Sequence, residues 1–322
     1  VGIQGVATAD VAWQSSLAYA QERVQMRAAI RPPGASARKQ AADPIIFHPP
    51  VQRLLMNQRV YVEGFRMLAY HIAVILDEAE RHPDTGQRAL KQGQLSLLTP
   101  VLKSMATDQA FDGTSKALQI FGGHGFMTEM GIEQYVRDTR IALIYEGTNE
   151  IQAIDLVVRN IVADKVRQLE LLLTELRQMA HGADSEFMSA QHGSLDELVD
   201  AITARAKRII AAADADSNLP HHVAPDMLRL IGHGVLSGLW LQAARAAQTR
   251  LEHDTGFYQA KIDTAQYYFS YVLPETASLL LTIDHALEAG DNHPGSRALA
   301  EVLPFQADFH ADSETTGTAS RA

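Results

Sequence analysis

"LQIFGGHGFMTEMGIEQYVRDTRIALIYEGTNEIQ", residues 118–152, leaves an apolar helix-like run through glycines at 122, 123 and 125 and enters a polar stretch. It returns through "IALIY" (141–145) to a lone acid, Glu146, on a Gly-Thr turn that opens another helical pattern. Nowhere in it do apolar and polar residues alternate as a half-buried strand requires. The stretch therefore joins helices, and it sets one carboxylate at the end of an apolar run.

The flanking sequence repeats the helical period. Val6, Trp13, Leu17, Ala20 and Val24 mark a first helix over about 3–28. Residues 29–50 carry five prolines and no periodicity, so they read as a long loop. A stripe from Val51 through Leu55, Gln58, Val62, Phe65, Ala69, Ile72 and Leu76 to Ala79 predicts a second helix, closed by "HPDTG". Leu95, Leu98, Leu102 and Met105 begin a third, which runs to about Ile120 and stops at the glycines. A fourth spans about 149–180. The small, polar "AHGADSEFMSAQHGS" (180–194) predicts a break, followed by helices near 195–216, 221–250 and 254–290, the last interrupted at Pro274. The expected fold is all-α, with a four-helix bundle over 1–165, an additional helical domain over 166–306 and a disordered tail over 307–322.

Composition narrows the function. At 322 residues, with 46% hydrophobic and 20% charged residues, the chain can build substantial cores. A net charge of -10 argues against a nucleic-acid binder, which carries a basic surplus on one face. With no cysteine there is no disulfide, thiolate metal site or Cys nucleophile, in keeping with a reducing, cytoplasmic setting. Nothing in the sequence marks a metal site. The most apolar segment, 228–247, contains Arg229, His233 and Arg245 and reads as a buried helix, not a membrane span. The chain opens on Val1 in mid-pattern, as expected of a piece whose front portion is not included.

Two readings of the opening stretch follow from its chemistry. A lone Glu at a loop is ordinarily a solvated surface charge. After a buried "IALIY", however, Glu146 would be partly desolvated and its pKa raised, as a carboxylate base working near neutrality requires. Gly147 permits a sharp turn, and Thr148 can cap a helix whose free N–H groups favour an anion. In "LQIFGGHGF" the glycines either end a helix or let the backbone approach a pyrophosphate. The segment lacks the spacing and the preceding strand of a dinucleotide fingerprint.

Taken together, "YAQERVQMR" (19–27) and residues 117–152 closely resemble the C-terminal helical domain of the acyl-CoA dehydrogenases. The resemblance covers about 1–165. It implies an FAD-dependent enzyme that desaturates an acyl-CoA thioester to the 2,3-enoyl-CoA. Glu146, in Y-E-G-T, would be the base that removes the α-proton while the β-hydrogen leaves as hydride to the flavin, and Gly147 would border the substrate. The resemblance further implies cofactor contacts from Arg23 and Gln25, from Gln119, Ile120, Phe121, Gly122 and Gly123, and from Thr148, Asn149 and Glu150. The family's E-R-x-Q-F-G departs here to Met26-Arg27, and His48 stands where many members place a flavin-contacting Gln. His124 reads as a loop histidine without a role, and Arg137, Asp138 and Arg140 as a structural salt-bridge cluster. The implied partners are the acyl-CoA, electron-transferring flavoprotein and further copies in a homodimer or dimer of dimers. The helices after 165 are similar to the C-terminal extension of larger bacterial members. The family's N-terminal helical and middle β-domains have no counterpart here, so the isolated chain reads as incomplete. An acyl-CoA oxidase, or a catalytically silent helical assembly module, remains the alternative.

Overall fold

The computed structural model describes residues 1–31, 41–180, 186–290 and 293–302. The described residues contain no strand, only a single bridge between Val24 and Pro44. The predicted all-α class therefore holds. The expected disordered tail, 307–322, lies outside the described residues.

Helix α1 (Gly2–Glu22) lies along α3 (Thr85–Phe121), and α2 (Pro49–Arg81) packs on both. Tyr19 near the end of α1 stacks on Phe121 at the end of α3, so these two helices run in the same direction. Helix α1 ends six residues earlier than its stripe predicts. Beyond Glu22 the backbone is claimed by a different partner: Ile45 N–H donates to Arg23 O and Gln25 N–H to Asp43 O. Helix α3 begins ten residues earlier than predicted, because the Asp84 carboxylate caps it by accepting from Gln87 N–H at 2.8 Å. After α3 the chain turns through 122–131 and runs back as α4 (Ile132–Arg140). That return brings Glu146 alongside the middle of α3.

The expected continuous helix over 149–180 is broken. Short α5 (Asn149–Ile154) widens into a π-helix over Asp155–Val162, and α6 (Arg167–Ala180) follows a turn with positive φ at Lys165 and Val166. Helix α7 (Glu186–Ala213) corrects the other expectation, since most of the polar 180–194 stretch is helical. Then come α8 (Leu219–Gln248), α9 (Thr255–Tyr267), α10 (Glu275–Ala289), entered through Pro274, and α11 (Pro294–Val302). Buried α8 contacts α2, α3, α5, α6, α7, α9 and α10, as its apolar sequence requires. One hydrophobic core runs without interruption from Val6, Leu68 and Leu98 through Val157 and Leu173 to Trp240 and Ile283. Where α8 crosses α3, a Cβ at Gly232 would overlap the Met105 sulfur, so this close approach needs glycine. No described helix is long and apolar enough to cross a membrane.

Inside this core His233 is buried, with Nδ1 3.2 Å from Tyr268 Oη. The Tyr268 hydroxyl and Ser237 Oγ both donate to His233 O, at 2.9 and 2.7 Å. With the phenol proton already committed, Nδ1–H must donate to the phenol oxygen. Burial, reinforced by the Arg229 cation, pushes this imidazole down to about 3. Its stabilising effect is complete above the unfolded value of about 6.5 and is lost as pH falls toward the folded value. Chemical denaturation should show the fold losing about 2–3 kcal/mol between pH 6.5 and 4.5 on this account, at up to ~1.4 kcal/mol per pH unit. His233→Gln should flatten that slope while lowering stability at pH 7.

Candidate functional site

The sequence-predicted residues fall into two clusters at opposite ends of α1, one beside the end of α3 and the other beside its middle. The first lines a cleft of about 600 Å3 where α1, the 23–26 segment, the start of α2 and the end of α3 meet. Arg23, Gln25, Gln119, Ile120, Phe121, Gly122 and Gly123 all line it, and so does His48. Pairing of 23–26 with 43–45 carries Arg23 and Gln25 out of the helix and along the cleft wall, where His48 Nε2 meets Gln25 O at 2.9 Å. The segment is anchored by Asp43, which accepts from Ala28 N–H at 3.0 Å and from Arg31 Nε at 2.9 Å.

No carboxylate lines this cleft, and no described carboxylate pairs with Arg23. A cationic wall without an acid suits an anion. Gly122 ends α3 at φ 62, while a Cβ at Gly123 would meet nothing within 4 Å. Nothing within the chain requires Gly123 to lack a side chain, so the open backbone suits close approach by a ligand. Sequence reasoning overlooked Tyr19 and gave His124 no role. Both line the cleft, joined by a 2.8 Å hydrogen bond between Tyr19 Oη and His124 Nδ1. The signal for Tyr19 was its place on α1 one turn before Arg23, which the helical period turns toward the same side.

The second cluster is the Glu146 turn. Tyr145 Oη donates to Gln4 Oε1 near the start of α1, so the turn lies roughly 22 Å of helix from Tyr19, at about 1.5 Å rise per residue. "IALIY" is not the buried run expected of it. Ile141 is 50% exposed and Ile144 47%, because the segment caps α4 on the outside of α3 and only Ala142 is enclosed. Glu146 is exposed.

The backbone of this turn is unusual. Glu146 has φ 55 and Gly147 φ 84, two left-handed residues in succession. A non-glycine residue there costs about 1–2 kcal/mol and persists only when its surroundings impose it. Those surroundings are visible. Gln152 Nε2 donates to Glu146 O at 3.2 Å, and the Thr148 hydroxyl caps α5 by accepting from Ile151 N–H. Lys103 of α3 donates to Gly147 O at 2.8 Å. Among the described residues, neither the Glu146 nor the Gly147 N–H is used within the chain. The Glu146 carboxylate and the two amide donors of the turn are therefore left without hydrogen-bond partners among the described residues.

The turn is held from within. The Asn149 side chain points into the protein, with Oδ1 accepting from Lys103 at 2.7 Å and Nδ2 donating to Asp108 Oδ1 at 2.7 Å. Burial pushes the Lys103 ammonium down and the Asp108 carboxyl up, Asp108 raising the former again and Asn149 lowering the latter. The Glu150 carboxylate bends back onto its own N–H and the Thr148 hydroxyl, and these hold it below the usual carboxylate range. The expected cluster of Arg137, Asp138 and Arg140 does not form. Asp138 accepts from Gln134 Nε2, and the Arg140 guanidinium lies over the Phe111 ring. Gly147→Ala would force a side chain into φ 84 and should lower the unfolding free energy by about 1–2 kcal/mol in urea titration.

Residues 1–162 match the family model "Acyl-CoA dehydrogenase, C-terminal domain", and residues 172–291 match "Acetyl-CoA dehydrogenase C-terminal like". Among curated proteins, the 3-methylmercaptopropionyl-CoA dehydrogenase of Ruegeria pomeroyi is 37% identical over 284 residues, covering 86% of this chain and 47% of that protein. The broad-specificity linear acyl-CoA dehydrogenase FadE5 of Mycobacterium tuberculosis is 30% identical over 307 residues, covering 91% and 49%. The chain thus spans about half the length of these relatives. An acyl-CoA dehydrogenase from Bacillus anthracis, solved with FAD, superimposes with a TM-score of 0.68 at 17% identity, covering 93% of this chain and 50% of that one.

Proposed function

The chain belongs to the acyl-CoA dehydrogenase family, and on that premise we propose that it is the C-terminal, helical part of an FAD-dependent enzyme that converts an acyl-CoA thioester to the 2,3-enoyl-CoA. The observation that carries this reading is the separation of the two clusters. Arg23 with the 119–123 glycine segment lies at the far end of α1 from Glu146, roughly 22 Å of helix away. That separation supports a cofactor shared between copies. The acid-free cleft of one copy would hold its phosphate-bearing part, with the ring against the Glu146 turn of another, in a homodimer or a dimer of dimers.

FAD, when bound, supplies the hydride acceptor. The rest falls to residues of the chain. The Glu146 carboxylate removes the α-proton, and the unused N–H of Glu146 donates to the thioester carbonyl, where negative charge develops as that proton leaves. Gly147, without a side chain, lets the acyl chain pass. Tyr145, Ile144 and Ile151 leave an apolar surface exposed beside the carboxylate. Covering it with a surface that the described residues do not supply would desolvate the base and complete the acyl-CoA cleft. Electrons leave to electron-transferring flavoprotein, in line with the dehydrogenase names of the curated relatives. The division of the chain at about residue 165, with the additional helical domain buttressing the bundle through α8, is part of the same proposal.

Replacing Glu146 by Gln keeps the size and removes the base. In the FAD-loaded enzyme it should cut turnover roughly 10²–10⁴-fold with flavin content unchanged. Turnover above a tenth of wild type would refute the assignment. Arg23→Ala should instead lower flavin content and oligomer mass together, read by visible absorbance and light scattering. A variant that keeps both removes Arg23 from the shared site.

A further inference from the structure

The Glu146 turn is gripped by a polar assembly in which neither the family resemblance nor the comparisons assign a role to Lys103 or Asp108. Lys103 projects from a part of α3 enclosed by other helices and is only 6% exposed, yet no carboxylate lies within ion-pair distance of it among the described residues. Its two acceptors, Gly147 O and Asn149 Oδ1, both belong to the turn. Asn149 is in turn fixed in one orientation. Its oxygen faces the ammonium, and its nitrogen donates to Asp108 Oδ1, Thr107 Oγ1 and Ser104 O at 2.7, 3.0 and 3.2 Å. Ser104 Oγ donates to Asn149 O at 3.2 Å, so one turn of α3 reads both the side chain and the backbone of this residue. A flipped amide would set oxygen against carboxylate and N–H against ammonium, and the charges forbid it.

We propose that Lys103 is a positioning residue for Glu146. With Asp108 acting on it through the Asn149 amide, it imposes the left-handed pair at 146–147 and so aims the carboxylate and its neighbouring N–H. Among the described residues the Lys103 ammonium hydrogen-bonds only to the turn, and no other buried cation holds the turn's carbonyls. This rests on Glu146 being the base, because an accurately aimed surface glutamate would otherwise serve nothing. Lys103 touches no reacting atom; besides directing the turn, its ammonium interacts electrostatically with Glu146.

Lys103→Met keeps the length and apolar stem of the side chain while removing its donors. Hydrogen–deuterium exchange of the 322-residue protein should show the bonded amides that flank the turn, those of Tyr145, Ile151 and Gln152, exchanging at least tenfold faster, with peptides from α2 and α8 unchanged. Unaltered exchange at these three amides overturns the proposal. In the FAD-loaded enzyme, kcat should fall on the order of 10²-fold, as expected for a misaimed catalytic group, with KM for acyl-CoA changed less than threefold. A merely structural lesion would lower the amount of folded enzyme and leave kcat per flavin intact. Asn149→Asp, which sets a second carboxylate against Asp108 at nearly constant volume, should give the same kcat loss even if Lys103→Met folds poorly. If Glu146→Gln is inactive while both variants keep wild-type kcat, the positioning role fails and the base assignment stands. If Glu146→Gln is fully active, both fail together.

Discussion

Residues 101–107 of α3 are all buried, seven in succession. Nearly two turns of helix with no solvent-facing side must be enclosed all round, and most of the architecture follows from that demand. Helices α1 and α2 cover part of the surface, α5 with its π-helical extension and α6 cover another, and α8 closes the remainder. The polar residues inside the enclosure then constrain the chain further, since a buried ammonium or hydroxyl needs partners. Thr107 turns back onto its own helix, donating to Lys103 O at 2.8 Å. Lys103 reaches outward and finds the 147–149 segment. The position of the Glu146 turn is thereby tied to the burial of the central helix.

The two ends of the α1–α3 pair differ in character. At one end the chain offers a concave, acid-free wall with open glycine backbone. At the other it offers a convex turn whose carboxylate and amide donors find no hydrogen-bond partner among the described residues, flanked by exposed Tyr145, Ile144 and Ile151. The first receives and the second presents. Their separation is set by the length of α1 and by the return path of α4, which brings the chain back along α3 as far as Lys103. Short α4 has little enclosed surface, with Ile132 and Thr139 as its buried positions. It is held at its far end by the Arg140 guanidinium over Phe111.

Much of this was legible in the residues themselves. Helical stripes at Val51–Ala79 and Leu95–Met105 identified α2 and α3, and the Q-I-F-G-G and Y-E-G-T segments identified the family. The errors have physical causes. "IALIY" looks like a core segment in sequence, but apolar residues on the outside of a helix end are left exposed when the surface that would cover them lies elsewhere. Helix α1 stops early because the backbone after Glu22 finds partners in 43–45, a long-range pairing that no local period announces. Lys103 passed unremarked because a lysine inside an apolar stripe usually snorkels to water. Only the enclosure of residues 101–107 removes that escape. Asn149 was picked out as part of a cofactor-facing motif, yet its side chain turns the other way, and spacing alone does not distinguish the two faces of so short a helix.

The turn at 163–166, with left-handed Lys165 and Val166, lies between the two family matches and looks in sequence like a natural seam. Side chains nonetheless interlock across it. Met105 of the first stretch occupies the space that Gly232 of the second leaves open, and Tyr267 of α9 donates to Asn57 of α2 at 2.7 Å. The two stretches therefore pack on each other closely enough that their facing surfaces are expected to be inherited together. A crossover between relatives at this turn would preserve both motifs and both open reading segments, yet separate a side chain from the vacancy that accommodates it. Lineages that carry the extension are expected to change the α3 and α8 faces in concert, with substitutions at one tracked by substitutions at the other, instead of trading the halves as independent cassettes.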